Sequence, residues 1–216
     1  GTCPMGLKAE QFSNNNENFK KVTFVVEDGS LTINKRNVVL TSETASKTYD
    51  GTALTKPIVK VTGDGFVAGE VSDIKATGSV THVSAGEVTN TITYTEGEKF
   101  KADNYTIEKT EGTLKVTPVT DKVTVTITEK SGTATYDGKE HIVSGYESMT
   151  ADNPLYDEDS VEENPTVMWA AKGTDAGEYP VGIAADDFKN INTNFENVEF
   201  CLLYTSPSPR DAHESR

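Results

Sequence analysis

The chain has 216 residues, and its 34 acidic against 20 basic side chains give a formal charge of −14, which disfavours nucleic acid and anionic lipid as partners because both are polyanions. Hydrophobic residues make up 35 % and no long apolar run occurs, so a membrane span within this window is excluded and one large core is disfavoured. Abundant Thr, Val, Gly, Asp and Asn suit small β-units with much surface.

Gly1 to Phe24 comes back without a gap as Gly177 to Phe200, with 11 of 24 positions identical, among them Pro4/Pro180, Phe12/Phe188, Asn14/Asn190, Asn18/Asn194 and Phe19/Phe195. The return distance is too long for one small solenoid repeat and fits two ordinary domains in tandem. Residues 1–36 therefore read as the C-terminal part of a first unit. Within it Val22, Phe24 and Val26 alternate with polar residues, Asp28-Gly29 offers a tight turn, and Leu31 and Ile33 alternate again, which predicts a hairpin. Cys3 stands where the other copy has Tyr179 and reads as a drifted tyrosine site. Leu7 to Phe12, and its copy Ile183 to Phe188, predict a single helical turn at most.

A second unit spans residues 37–117. It opens on Val38 to Leu40, passes through KTYDGT (47–52), carries β-rich runs at Pro57 to Val61 and Thr89 to Thr95, and closes on Asn104 to Pro118, read as a second hairpin. Gly112-Thr113-Leu114-Lys115-Val116 matches Gly29-Ser30-Leu31-Thr32-Ile33 in that closure. A third unit spans residues 118–200. Lys122 to Glu129 is its clearest strand, with Val123, Val125 and Ile127 on one face and threonines on the other. TATYDGKE (133–140) repeats the YDG element, and Ile142 to Val143, Thr166 to Trp169, Tyr179 to Ile183 and Val198 to Phe200 are further strands. This unit lacks the closing hairpin of the other two.

Residues 201–216 differ in composition from the rest, holding Arg210, Arg216, Pro207, Pro209 and Cys201. CLLYTSPSPRD back-translates in frame to the transposase adapter of shotgun sequencing libraries. The expectation is a non-native tail on a reading frame interrupted at Phe200, which leaves Cys3 without a native cysteine partner.

The YDG triplets, Tyr49-Asp50-Gly51 and Tyr136-Asp137-Gly138, read as turns: glycine reaches positive φ without strain, aspartate bonds to nearby backbone, and the tyrosine ring anchors on the core. With KTYDGT, TATYDGKE, GTDAGEYPVGI (173–183) and the closing GSLTINK and GTLKVTP segments in constant order, residues 1–200 resemble the bacterial Ig-like repeats called YDG and MBG domains. That resemblance implies an all-β chain of tandem Ig-like β-sandwich modules, two main units plus an N-terminal partial one, extracellular on a bacterial surface or secreted. It implies a stalk or adhesive role and no catalytic residues. The implied partners are neighbouring repeat units and a host glycan or glycoprotein.

No HExxH, GxSxG, phosphate-binding glycine loop or CxxC is present, and the histidines are isolated. The chain reads as no enzyme and as holding no cofactor. Calcium is the one metal with candidate ligands, in the acidic loop carrying Asp152, Asp157, Asp159 and Glu162, with Glu158 and Glu163 beside them. The loop lacks the alternation and central glycine of a dedicated calcium site, so a solvated acidic loop is the favoured reading. Trp169 reads as a core residue.

Overall fold

The computed structural model describes residues 2–204; the tail beyond Tyr204, with Pro207, Pro209, Arg210, His213 and Arg216, lies outside the described residues. The chain is all-β, with 42 % of residues in strands and no helix as long as seven residues. Its contacts form two units. One comprises residues up to Glu43, Pro57–Thr77 and Asn90–Gly112; the other comprises Thr44–Lys56, Gly78–Thr89 and Thr113 onward.

In the N-terminal segment β1 (Thr2–Pro4) pairs antiparallel with β2 (Ser30–Thr32), Cys3 opposite Leu31. The hairpin predicted across Asp28-Gly29 does not form, because Val22 to Val26 is not a strand and Asp28 instead accepts the Gly6 and Leu7 amides through its carboxylate. A physical reason is available in the second copy, where Val198 and Phe200, the counterparts of Val22 and Phe24, pair with a strand at Val123 and Val125. Among the described residues no strand pairs with Val22 to Val26.

The repeat at 37–117 carries ten strands, β3 (Arg36–Ser42), β4 (Ala45–Thr48), β5 (Leu54–Thr55), β6 (Val59–Gly63), β7 (Val71–Ala76), β8 (Ser79–Val80), β9 (Glu87–Thr89), β10 (Ile92–Glu96), β11 (Tyr105–Thr110) and β12 (Thr113–Thr117). In the first unit β3 lies between antiparallel β6 and parallel β11, and β10 pairs with β7. In the second unit β12 lies between parallel β4 and antiparallel β9, and β5 pairs with β8. Val38, Leu40, Ile92 and Tyr105 form the core of the former set, and Leu54, Val80, Leu114 and Val116 that of the latter. Asn104 to Pro118 is thus not a hairpin. Its two strands belong to different sheets, and the chain switches unit at Gly112, whose amide donates to Ser42 Oγ at 3.0 Å while its carbonyl accepts Asn90 N at 2.8 Å.

A second run of strands, within residues 118–204, comprises β13 (Val123–Glu129), β14 (His141–Ser144), β15 (Tyr146–Ala151), β16 (Val161–Glu163), β17 (Ala170–Gly173), β18 (Phe188–Asn190) and β19 (Val198–Leu203). Its pairing scheme repeats the first: β13 lies between antiparallel β15 and parallel β19, as β3 lies between β6 and β11. Likewise β16·β18 answers β7·β10, and β14·β17 answers β5·β8. Counterparts of β4, β9 and β12 are missing among the described residues. β12 is the strand that β4 and β9 both pair with, and a strand segment without a partner has no ladder to join. Residues 131–136 and Tyr179 to Ile183, the latter predicted as a strand, do not form strands.

β13 is buried at Val123, Val125, Ile127 and Glu129, with its threonines half-buried because both edges are paired. The strand expected over Thr166 to Trp169 forms further on as β17. The single helical turns predicted in the repeated stretch appear at Ala9–Gln11 and Ala185–Asp187. β19 continues past Phe200, with Cys201, Leu202 and Leu203 opposite Thr126, Ile127 and Thr128. Ladder bonds are made by backbone and three apolar side chains suffice to prolong the strand.

Candidate functional site

The two YDG turns share a backbone and differ in their surroundings. Gly51 and Gly138 both have positive φ, 77° and 74°. Asp50 Oδ1 accepts Thr52 N at 2.9 Å and Asp137 Oδ1 accepts Lys139 N at 3.0 Å, the same turn locked by the same aspartate. Neither closes a hairpin between sequence neighbours, since β4 pairs with β12 and β5 with β8. The Tyr49 ring packs edge-on against Phe195, centroids 5.7 Å apart, and lies 5.8 Å from His82. Tyr136 is 67 % exposed, and among the described residues no counterpart of the β4·β12·β9 sheet stands beside it.

Lys47 Nζ reaches Asp50 Oδ1 at 2.6 Å, and the Thr52 hydroxyl donates to the same oxygen at 2.7 Å. The lysine and then the threonine hold the Asp50 carboxyl down at about 2, against an ordinary 3.8. A carboxyl depressed in the folded chain contributes stability that is complete above its unfolded value and is lost as pH falls through the folded one. The difference in thermal midpoint between wild type and Asp50→Asn is therefore expected to be constant above about pH 5 and to vanish as the pH approaches about 2. A difference that persists unchanged to pH 2 would contradict the assignment. Asp137 is held below the ordinary range by the Lys139 amide and then by His141, whose Nε2 lies 3.0 Å away.

The acidic loop does not converge on a centre. Asp152 accepts the Thr124 amide, Asp157 the Ser160 hydroxyl, Glu163 the Tyr146 hydroxyl, and Glu162 faces Lys189 at 3.4 Å. Among the described residues no three His, Cys, Asp or Glu side chains come together in a way that could hold a metal. A shallow cleft of about 190 Å³, lined by Val125, Met149, Ala151, Tyr156 and Asp157 among others, is smaller than the usual ligand pocket of at least about 300 Å³. Trp169 stacks on Phe188 at 5.2 Å and donates Nε1–H to Asp187 Oδ2 at 2.8 Å.

The asparagine ladder was not assigned a role from sequence, although its signal, three alternating asparagines before a phenylalanine kept in both copies, was visible. Asn14 Nδ2 donates to the Phe19 carbonyl at 2.9 Å, Asn14 Oδ1 accepts Asn16 N, and Asn16 Oδ1 accepts Asn18 N. Asn190, Asn192, Asn194 and Phe195 reproduce every one of these bonds within 0.1 Å. The second copy carries further partners outside the repeated stretch: Asn194 Oδ1 accepts Val83 N at 2.9 Å, and Asn192 Nδ2 donates to Ser160 Oγ at 2.8 Å. Asn194 is buried, so Asn194→Ala strands a polar group and is expected to cost about 1–3 kcal/mol. Asn18→Ala, at the exposed copy, is expected to fall within about 0.5 kcal/mol of wild type; urea unfolding of both variants checks the contrast.

What these elements define is an all-β chain in which one strand-pairing scheme occurs twice, with repeated turns and, among the described residues, no group of His, Cys, Asp or Glu side chains that could hold a metal. Searches of protein-family models, curated proteins and solved structures find no match to it.

Proposed function

We propose that the chain is a non-catalytic spacer from the stalk of a bacterial cell-surface or secreted adhesin-like protein, built of Ig-like repeats of the YDG/MBG type. Its units are residues 1–36 as a partial repeat, 37–117 and 118–200, with 201–216 a library-derived extension. The observation that carries the reading is the recurrence of one pairing scheme around β3 and β13, with both YDG turns at the same place in it. A module repeated for its scaffold suits a protein whose task is reach.

Small-angle scattering on pieces carrying one and two repeats tests this. A maximum dimension that grows with each added repeat is the expected result, and an unchanged dimension counts against a spacer. The competing reading, a loop-face binding module for host glycoprotein or polysaccharide, is tested on the same pieces: retained affinity on mucin or glycan arrays would put it first.

A further inference from the structure

Among the described residues the second repeat has no counterpart of β12, the central strand of its sheet in the first, and the chain carries a strand of the right sequence elsewhere. Positions corresponding to Ala45–Thr48 of β4 are residues 132–135, and those corresponding to β9 are residues 178–180. Residues 131–136 and 178–180 are exposed throughout. Among the described residues, none from 131 to 136 or from 178 to 182 makes a backbone–backbone hydrogen bond. These two unpaired segments stand at the places of β4 and β9, which flank the lane that β12 fills in the first repeat.

Sequence chemistry decides what can occupy the lane. Leu114 and Val116 of β12 are buried in the first repeat. Their counterparts in the second, in the register set by β11 and β19, are Pro207 and Pro209. Proline has no N–H to give and does not serve in a central strand. Leu31 and Ile33 stand at the same two places in the other copy of this subtype. β2 also pairs with β1 in the register that β12 keeps with β9: Leu31 faces Cys3 as Leu114 faces Val88. Cys3 is the repeat counterpart of Tyr179, which lies on the open edge. The edge at 178–180 is thus a second docking site for a sequence that β1 already binds. Pro180 does not block it. Asn90 and Val88 turn their amides toward β12, so the intervening Thr89, whose place Pro180 takes, turns its own away.

We infer that the second repeat is a strand acceptor, and that its occupant is the β2 segment, with Ile33, of a second copy of this chain. The donated strand runs parallel to 132–135 and antiparallel to 178–180, with Leu31 beside Gly132 and opposite Tyr179. The donor gives up the β1·β2 sheet of six exposed residues, marginal in water by itself, together with the Thr2–Thr32 hydroxyl contact and the bond from the Met5 amide to the Gly29 carbonyl. What is gained is a ladder on both edges and burial of two apolar side chains that are exposed in the donor.

The test uses the full chain with Cys3→Ser, Cys201→Ser, Leu31→Cys and Tyr179→Cys, prepared in light and isotopically heavy forms, mixed, refolded and oxidised. Directly opposed residues in a ladder lie within disulfide reach. Digestion should yield disulfide-linked peptides joining position 31 of one isotopic form to position 179 of the other. Linkage confined to one isotopic form, or none, overturns the proposal. A second variant, Cys201→Ser with Leu31→Cys and Cys3 retained, locks β2 onto β1 when oxidised. Sedimentation should show self-association weakened about tenfold or more in the oxidised form and restored by reductant. Association that does not respond to the redox state, or a wild type that stays monomeric at high concentration, also overturns it.

Discussion

Replacing residues 205–211 with Gly-Ser-Leu-Thr-Ile-Asn-Lys, the sequence of Gly29 to Lys35, is expected to raise the thermal midpoint of the second repeat by about 10 °C or more. The replacement restores at Pro207 and Pro209 the leucine and isoleucine of the sister copy. At the matching places of β12, Leu114 and Val116 are 0 % and 1 % exposed. Each apolar side chain brought to such burial contributes about 1.5–3 kcal/mol, and ordering the strand takes back part of it. A net gain of about 2–4 kcal/mol corresponds to the stated shift for a unit of this size. Hydrogen exchange gives a local readout, since amides of residues 131–136 and 178–182 should become protected and the Tyr136 ring should lose its exposure. A leucine-to-aspartate change at the position of Pro207 within the same replacement should abolish the gain. An unchanged midpoint in the parent replacement would mean that the lane is not vacant. Filling the lane from within the chain should also suppress the exchange between copies described above.

The chain's local chemistry was legible and its long-range pairing was not. Lys122 to Glu129 reads as a strand from alternation alone, and β13 buries Val123, Val125 and Ile127 accordingly. The aspartate and glycine of each YDG element also act where their chemistry places them, at a positive-φ turn capped by a carboxylate. Alternation does not name a partner, however. β3 and β13 each pair in parallel with a strand about 70 residues on in sequence, and a parallel neighbour leaves no turn residue to announce it. For the same reason Asn104 to Pro118 resembles a hairpin: two alternating runs meet at a glycine, and nothing local shows that Ser42 Oγ and the Asn90 amide hold that glycine where the chain changes unit.

The repeated stretch shows the same limit from the other side. The matching asparagines make the same ladder in both copies and the single helical turn recurs, although the strands do not. Burial does not follow. Leu7, Phe12 and Phe19 are 40 %, 46 % and 61 % exposed, whereas Ile183, Phe188 and Phe195 are 3 %, 5 % and 2 % exposed. Only the second copy has the strands β13 and β15 to pack against. An apolar residue is a core residue when its partners are present, and the partners are encoded elsewhere in the chain.

Ile127→Ala follows from that argument with a large expected cost. Ile127 is fully buried in the middle of β13, opposite Met149 of β15 and Leu202 of β19. Truncating such a side chain between two paired neighbours is expected to cost about 2–5 kcal/mol, because the lost transfer free energy is joined by a cavity that paired backbone cannot close. Ile33→Ala removes the same atoms from a side chain that is 69 % exposed, and the expected change is within about 0.5 kcal/mol. Urea unfolding should show the first variant shifted in midpoint at constant slope and the second superimposed on wild type. The pairing of Ile127 with Leu202 extends the contrast to the segment after Phe200. Leu202→Asp places a charge beside the same buried face and is expected to destabilise the second repeat by an amount comparable with Ile127→Ala. Equal behaviour of Ile127→Ala and Ile33→Ala would remove β13 as the centre of the second repeat. A silent Leu202→Asp would remove residues 201–203 from its sheet.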